Sequence, residues 1–171
     1  MHNRRIVFAA ATLLMIALYA TAQQKPTPPS GNKTMGSHTD TEVWTPDKLK
    51  WGPAPAVLPG GAELAVLEGN PMAAVPYTMR LKMPSGYKLA PHWHPGIEHV
   101  TLISGSFKVG MGEKWDDSKM TALPVGTFAH IAPHMPHFAA AEGETVIQLH
   151  GSGPWKLVYV DAKDDPSKKQ K

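Results

Sequence analysis

Prolines and glycines divide the chain into short segments, and this spacing limits its fold more than any other feature. Between residues 63 and 160 no segment keeps an amphipathic helical pattern for three turns. A proline inside a helix removes a hydrogen bond and clashes with the preceding turn, so long helices are excluded there. Short strands joined by turns remain. The turn signals are Pro84-Ser85-Gly86, Pro95-Gly96, Ser104-Gly105, Asp116-Asp117-Ser118, Pro124-Val125-Gly126 and Glu142-Gly143.

The segments between these turns carry the pattern of half-buried strands. Apolar and polar residues alternate from Val75 to Met83 and again from Phe107 to Met111. Alternation with a period of two places one apolar face on a strand. Further strand candidates are 97–103, 127–132, 145–150 and 155–160. An all-β fold is therefore predicted, and the even spacing of the strands is typical of a sandwich, jelly roll or barrel.

The first 22 residues have the features of a secretory signal peptide. Arg4 and Arg5 precede an uncharged apolar run from Ile6 to Ala20, and Ala20-Thr21-Ala22 provides the small residues of a cleavage site. The run of about 15 residues is shorter than the roughly 20 that a transmembrane helix needs. Cleavage after Ala22 predicts a secreted or periplasmic protein with no stable membrane anchor; an uncleaved N-terminal anchor is the alternative.

Composition divides the rest of the chain into three parts. Residues 23–61 form a Pro-rich lead-in and extended arm, 62–160 form the domain, and 161–171 form a charged tail. The chain has 17 Lys+Arg against 14 Asp+Glu, and removal of Arg4 and Arg5 leaves these charges nearly balanced. Nucleic acid is therefore not an expected partner, because a basic surface is the usual sign of one.

The chain has no cysteine but nine histidines. The absence of cysteine excludes disulfide scaffolds, thiolate metal sites and cysteine nucleophiles. Seven of the histidines lie between residues 92 and 150. Histidine is the commonest protein metal ligand and the residue that titrates near neutral pH. Metal binding or acid–base chemistry is therefore the function class to consider first.

The densest part of this set is His92-Trp93-His94, followed by Glu98. Residues i and i+2 of a strand face the same side, so both imidazoles can point inward. Two histidines and a carboxylate are a typical ligand set for a first-row divalent metal with open positions. Taken by itself, a His-x-His pair can equally be two ordinary, partly buried or surface histidines.

The wider spacing resembles the cupin superfamily. Gly86, His92, His94, Glu98 and Gly105 match the first cupin motif, G-x5-H-x-H-x3-E-x6-G. In the second motif a Pro-x-Gly turn precedes a histidine by eleven residues. Pro124-Val125-Gly126, Pro133, Pro136 and His137 fit this spacing. The chain is similar to small, secreted, single-domain cupins (monocupins) carrying both motifs, and the strands around the motifs extend the resemblance over 62–160.

This resemblance implies a double-stranded β-helix, a jelly-roll barrel with a metal ion in its mouth. The implied ligands are His92, His94, Glu98 and His137. His130 is an alternative fourth ligand, because it also lies in the second motif. The acidic residue that the family places after the turn glycine is replaced by Thr127. One divalent ion of Fe, Mn, Ni, Zn or Co is implied, with two coordination positions free for a small molecule.

Three functions remain open at the level of the sequence. The resemblance favours a metal-dependent enzyme of the dioxygenase, decarboxylase or isomerase type acting on a small organic molecule. The alternatives are a non-enzymatic module that binds a small ligand or metal, and a metal-free barrel with vestigial ligands. Motifs for a hydrolytic triad or a phosphate-binding loop are absent. A homodimer is plausible by resemblance. Candidates for a second acid–base group are His130, His134, His150 and Gln148.

Overall fold

The computed structural model describes residues 41–169, and these form an all-β domain. The predicted signal peptide, most of the lead-in and the last two residues lie outside the described residues. The described strands are β1 Gly52–Pro53, β2 Glu63–Gly69, β3 Pro76–Met83, β4 Lys88–Trp93, β5 Glu98–Ser104, β6 Phe107–Met111, β7 Met120–Leu123, β8 Phe128–Ile131, β9 His137–Ala141, β10 Thr145–Ser152 and β11 Val158–Tyr159. Within residues 41–169, no helix has the length and apolar character needed to cross a membrane.

The strands form two antiparallel sheets that face each other. The first has the order β1-β2-β3-β10-β5-β8 and the second has the order β11-β4-β9-β6-β7. Alternate residues of each strand point between the sheets, as Tyr77, Met79, Leu81 and Met83 do in β3. Their apolar side chains form one continuous core. This arrangement is a jelly-roll barrel, which confirms the predicted fold class.

The sequence pattern located most strands but missed some. The two alternating segments correspond to β3 and β6. Of the strand predicted at 155–160, only Val158–Tyr159 pairs with a sheet. The backbone N–H of Trp155 instead donates to the carbonyl of Pro71 at 2.6 Å, so residues before Val158 form a loop. Strand β9 was not predicted individually, since alanine has a low strand propensity and its sequence is HFAAA.

Residues 44–61 run along the barrel. The segment includes a 3₁₀ turn at Pro46–Lys48 and the short strand β1, which pairs with β2. Leu58 is buried in the core. Two tyrosine hydroxyls hold the same segment, because Tyr87 Oη donates to the Pro59 carbonyl and Tyr159 Oη to the Val57 carbonyl, each at 2.8 Å. The segment thus covers one side of the core.

Candidate metal centre

Four buried polar side chains meet between the two sheets. His92 lies in β4, and His137 is the first residue of β9 directly opposite it. His94 follows the end of β4, and Glu98 begins β5 of the other sheet. Their exposed fractions are only 1–9%. Both sheets therefore contribute to one polar cluster inside an otherwise apolar core.

A β-bulge in β4 sets the direction of the first two histidines. Leu89 pairs with Ala139 and His92 with His137, so Ala90 and Pro91 together lie opposite a single residue of β9. Leu89 points inward, and regular alternation from it would turn His92 outward. The extra residue reverses the alternation, so His92 and His94 point inward. Proline suits this position because it has no N–H to contribute to the ladder.

The three imidazoles lie close enough to share one ion, and the carboxylate lies beside two of them. Ring centroids are 4.2 Å apart for His92 and His137, 5.1 Å for His92 and His94, and 5.4 Å for His94 and His137. One potential ligand atom from each histidine lies within 4.8 Å of the others. Glu98 Oε1 is 3.4 Å from His94 Nε2, and its Oε2 is 3.2 Å from His137 Nε2.

Backbone carbonyls fix the tautomer of each imidazole. The Nδ1 atoms of His92, His94 and His137 lie 2.8, 2.6 and 3.1 Å from the carbonyl oxygens of Ala90, Lys156 and Met135. A carbonyl can only accept, so Nδ1 carries the proton and Nε2 is left with a lone pair. Among the described residues, the buried Nε2 of His94 has no hydrogen-bond partner. These donor atoms fit a metal ion.

The electrostatics of the cluster also fit a divalent cation. Burial, with the neighbouring His137 and His94, lowers the pKa of His92 to about 3. Burial likewise lowers the pKa of His94. Burial alone would raise the pKa of Glu98, but the neighbouring His137 and His94 lower it overall. Neutral imidazoles and an anionic carboxylate are the ligand forms that metals bind.

A small cavity of about 40 Å³ opens beside the cluster. The four polar residues lie on its wall, and the rest of the lining is aliphatic or aromatic, including Leu81, Ile147 and Trp155. A cavity of this volume has room for a few water molecules. The site therefore combines four convergent polar groups with apolar surroundings.

The expected acid–base candidates lie away from this cavity. Ile147 and Leu149 of β10 point inward, so Gln148 and His150 face the outside of the sheet. Gln148 Oε1 accepts a hydrogen bond from Arg80 Nε at 3.1 Å. The His150 ring stacks on His99 with centroids 4.8 Å apart. Strand alternation therefore places these two acid–base candidates outside the cavity.

His130 and His134 are also outside the cavity. His130 is exposed on β8 and pairs with His99 on the outer face. It therefore lies apart from the cluster and does not fit as its fourth ligand. His134 is exposed in the turn before β9, where its φ is 60° and its ring centroid is 4.6 Å from that of Trp93. His137 is the histidine of this region that meets His92, His94 and Glu98.

Sequence reasoning missed two contributions from the loop before β11. The Lys156 carbonyl orients His94, and Trp155 lines the cavity. A backbone carbonyl leaves no trace in residue type, so the first could not have been found. Trp155 was assigned to a strand, and nothing in its sequence context relates it to residues 92–98.

Comparisons with known proteins give a consistent family and fold. The family model described as the ChrR cupin-like domain matches residues 39–154. A putative acetylacetone dioxygenase from Methylibium petroleiphilum superposes with a TM-score of 0.57 at 20% identity, covering 76% of this chain and 88% of that one. The acetylacetone dioxygenase from Acinetobacter johnsonii gives 0.56 at 19% identity, covering 74% and 83%.

The polyketide cyclase RemF from Streptomyces resistomycificus gives a TM-score of 0.57 at 14% identity, covering 75% of this chain and 92% of that one. No curated protein matches the sequence. At these identities the solved structures establish the shared fold, and function has to be argued from the site itself.

Proposed function

Because this chain belongs to the ChrR cupin-like domain family, we propose that it binds one divalent transition-metal ion and acts with it on a small organic molecule. The proposed ligands are His92, His94, Glu98 and His137. The observation that carries the proposal is the set of three Nδ1–carbonyl contacts, which turn three Nε2 lone pairs toward one point beside a buried carboxylate. Such contacts orient metal-binding histidines in proteins generally.

The ligand types suit Fe, Mn, Ni, Co or Zn, since imidazole and carboxylate donors accept all of these ions. A bound ion supplies Lewis acidity, and a redox-active one also supplies electron transfer. The chain itself holds the ion with four side chains, which leaves two positions of an octahedron for a substrate or O₂. The apolar lining keeps water from competing for those positions.

An oxidative reaction of the dioxygenase type fits this pocket better than a decarboxylase or isomerase. Within residues 41–169, the ionisable side chains on the cavity wall are His92, His94, Glu98 and His137 alone. A reaction that moves protons needs a positioned acid or base besides the ligands. A reaction centred on the metal and O₂ does not depend on one. The acetylacetone dioxygenases provide an example of such chemistry on the same fold.

The lack of a further acid–base group on the described cavity wall also supports a second candidate, a module that binds a small ligand without turnover. A small apolar cavity with a metal and no further acid–base group can hold a ligand and release it unchanged. The metal that occupies the native protein discriminates between the two candidates. Zinc has no redox chemistry, whereas iron or manganese has.

Metal content tests the site directly. Natively loaded protein is expected to contain about one ion per chain by elemental analysis, and His92→Ala and Glu98→Ala are expected to lose it, because each removes a buried ligand. His130→Ala is the matched control, since His130 is exposed on the outer face of β8 and should leave the metal content unchanged. Full metal occupancy in both ligand variants would refute the proposed site.

Oxygen uptake then tests the reaction. The loaded protein is mixed with a panel of small carboxylic acids, phenols and diketones in an oxygen electrode. Substrate-dependent uptake that disappears in His92→Ala supports the enzyme. Native zinc together with no uptake across the panel supports the binding module.

We also propose that the protein is exported and cleaved after Ala22. This rests on the charged start, the apolar run and the small residues of 1–22. Cell fractionation followed by N-terminal sequencing should find mature protein that begins at Gln23 outside the cytoplasm. Full-length protein retained in a membrane fraction would instead support the uncleaved anchor.

A further inference from the structure

One polar atom beside the metal cluster has no role in the proposed function. Trp155 Nε1 is buried and has no hydrogen-bond partner among residues 41–169. A buried donor without a partner destabilises the folded chain, because it has lost its hydrogen bond to water. The indole of Trp115 is different, because its Nε1 donates to Asp117 Oδ1 at 3.0 Å. Trp155 therefore holds a donor that the chain itself leaves unused.

The position of Trp155 connects this donor with the cavity. Its side chain lines the cavity, and its ring centroid is 5.9 Å from that of His94. Phenylalanine or leucine at this position would provide an apolar wall without burying an N–H. Besides the four proposed ligands, Trp155 is the one residue of the described lining whose side chain carries a hydrogen-bond donor.

The backbone around Trp155 is fixed from both sides. Its own N–H donates to the Pro71 carbonyl at 2.6 Å, and the N–H of Gly153 donates to the Val75 carbonyl at 2.9 Å. The next carbonyl, that of Lys156, accepts from His94 Nδ1 at 2.6 Å. The segment that orients His94 therefore also holds the indole in place. A donor fixed in this way loses little entropy when it binds a ligand.

Charge identifies the class of ligand. Three neutral imidazoles and one carboxylate leave a divalent ion with a single net positive charge. The remaining wall of the cavity is apolar, so nothing else among the described lining residues neutralises that charge. Burying it is costly without a counter-charge. A ligand with one negative charge and a small apolar remainder satisfies both the charge and the lining.

We propose that Trp155 Nε1 donates a hydrogen bond to an oxygen of a small, singly negative organic ligand, a monocarboxylate or an enolate, bound in the cavity. This inference rests on the proposed metal site and adds the ligand class and a specificity residue. The indole N–H gains a hydrogen-bond acceptor when the ligand enters the cavity. Ligands that lack an oxygen acceptor leave the N–H unpaired and are bound more weakly.

Acetate is the probe for the test, titrated into natively loaded protein by isothermal calorimetry. Trp155→Phe keeps an aromatic ring in the cavity wall and removes the donor together with part of the ring volume. Its affinity for acetate is expected to fall about tenfold, because hydrogen bonds to charged acceptors are the stronger ones. Trp115→Phe is the matched control, as its N–H is already satisfied by Asp117, and it should bind acetate as the unmodified protein does.

The metal content of each variant separates the ways in which this test could fail. Elemental analysis of each variant should show unchanged metal, since Trp155 is not a proposed ligand; an empty unmodified protein would refute the proposed function itself. With metal present, equal acetate affinity in Trp155→Phe and in the unmodified protein would overturn the role of Trp155. Metal-loaded protein that does not bind acetate would overturn the ligand class.

The thermal shift caused by acetate provides an independent readout. Acetate should raise the melting temperature of unmodified protein and of Trp115→Phe by the same amount, and that of Trp155→Phe by less. A purely structural role of Trp155 would lower the melting temperature with and without acetate and leave the acetate-induced shift unchanged. That result would contradict the proposal.

Discussion

At the scale of single residues, burial decides which protonation state the cluster can hold. His92 is 1% exposed, and its Nδ1 proton is already committed to the Ala90 carbonyl. A second proton would place a charge beside two other imidazoles in an apolar core. This is the physical reason why its pKa falls to about 3. The residue types could be read from the sequence, but their burial and their carbonyl partners could not.

This shift predicts that the metal-free protein loses stability in acid. The folded pKa of His92 is about 3, and its usual value is 6.5. Between these values the unfolded chain binds more protons, so the free energy of unfolding falls as the pH drops below 6.5. The lowered pKa values of His94 and Glu98 act in the same direction. Urea unfolding of chelator-treated protein from about pH 7.5 to pH 4.5 measures the slope.

His92→Gln removes the titrating group and serves as the comparison, so its stability should change less steeply with pH. Identical slopes for the two proteins would contradict the assignment of this pH dependence to His92.

At the scale of the strands, the sequence pattern predicted where strands lie better than it predicted which of their faces points into the core. Alternation located β3 correctly, because one of its faces is uniformly apolar. In β4 the sequence placed His92 and His94 on one face, and the structure agrees. That face points inward only because Ala90 and Pro91 form a bulge opposite β9. A bulge depends on the partner strand, so it cannot be read from β4 alone.

Strand packing also explains a glycine in β6. Gly110 pairs with Phe138, and a Cβ at Gly110 would collide with the Phe138 ring. Phe138 is fully buried, so its ring has no free space to move into. Gly110→Ala is therefore expected to destabilise the fold by about 1–3 kcal/mol, as overpacked cores do. Thermal or urea unfolding measures the loss.

Gly143→Ala is the control for this change. A Cβ at Gly143 meets no atom within 4 Å, so the stability should be nearly unchanged. Equal stability of the two variants would show that β6 and β9 can separate without cost.

At the scale of the whole domain, the segment before β2 belongs to the folded unit. Val57 and Pro59 accept the hydroxyls of Tyr159 and Tyr87, and Leu58 between them contributes to both the core and the cavity wall. The sequence predicted a Pro-rich, extended arm in this segment. It could not show which tyrosines hold it, because these partners lie 28 and 102 residues further along the chain.

Removal of these two hydroxyls should loosen the segment while the barrel persists. Tyr87→Phe and Tyr159→Phe are each expected to cost about 1 kcal/mol, the usual net value of one hydrogen bond. The double variant should also be cut faster by trypsin at Lys48 and Lys50, which precede the held residues.

Tyr77→Phe is the matched control, since Tyr77 lies in β3 and its hydroxyl takes part in neither of the two hydrogen bonds that hold the segment. Unchanged cleavage in the double variant would mean that Leu58 alone holds the segment.

The division of the cluster between two sheets has a mechanical consequence. His92 and His137 come from one sheet and Glu98 from the other. An ion bound by all three would therefore cross-link the two sheets through the middle of the barrel. In a chain without cysteine, this is a reversible counterpart of a disulfide. Above its dissociation constant, each tenfold rise in free ion concentration would add about 1.4 kcal/mol to the free energy of unfolding. The barrel's resistance to unfolding would then depend on how much metal surrounds it.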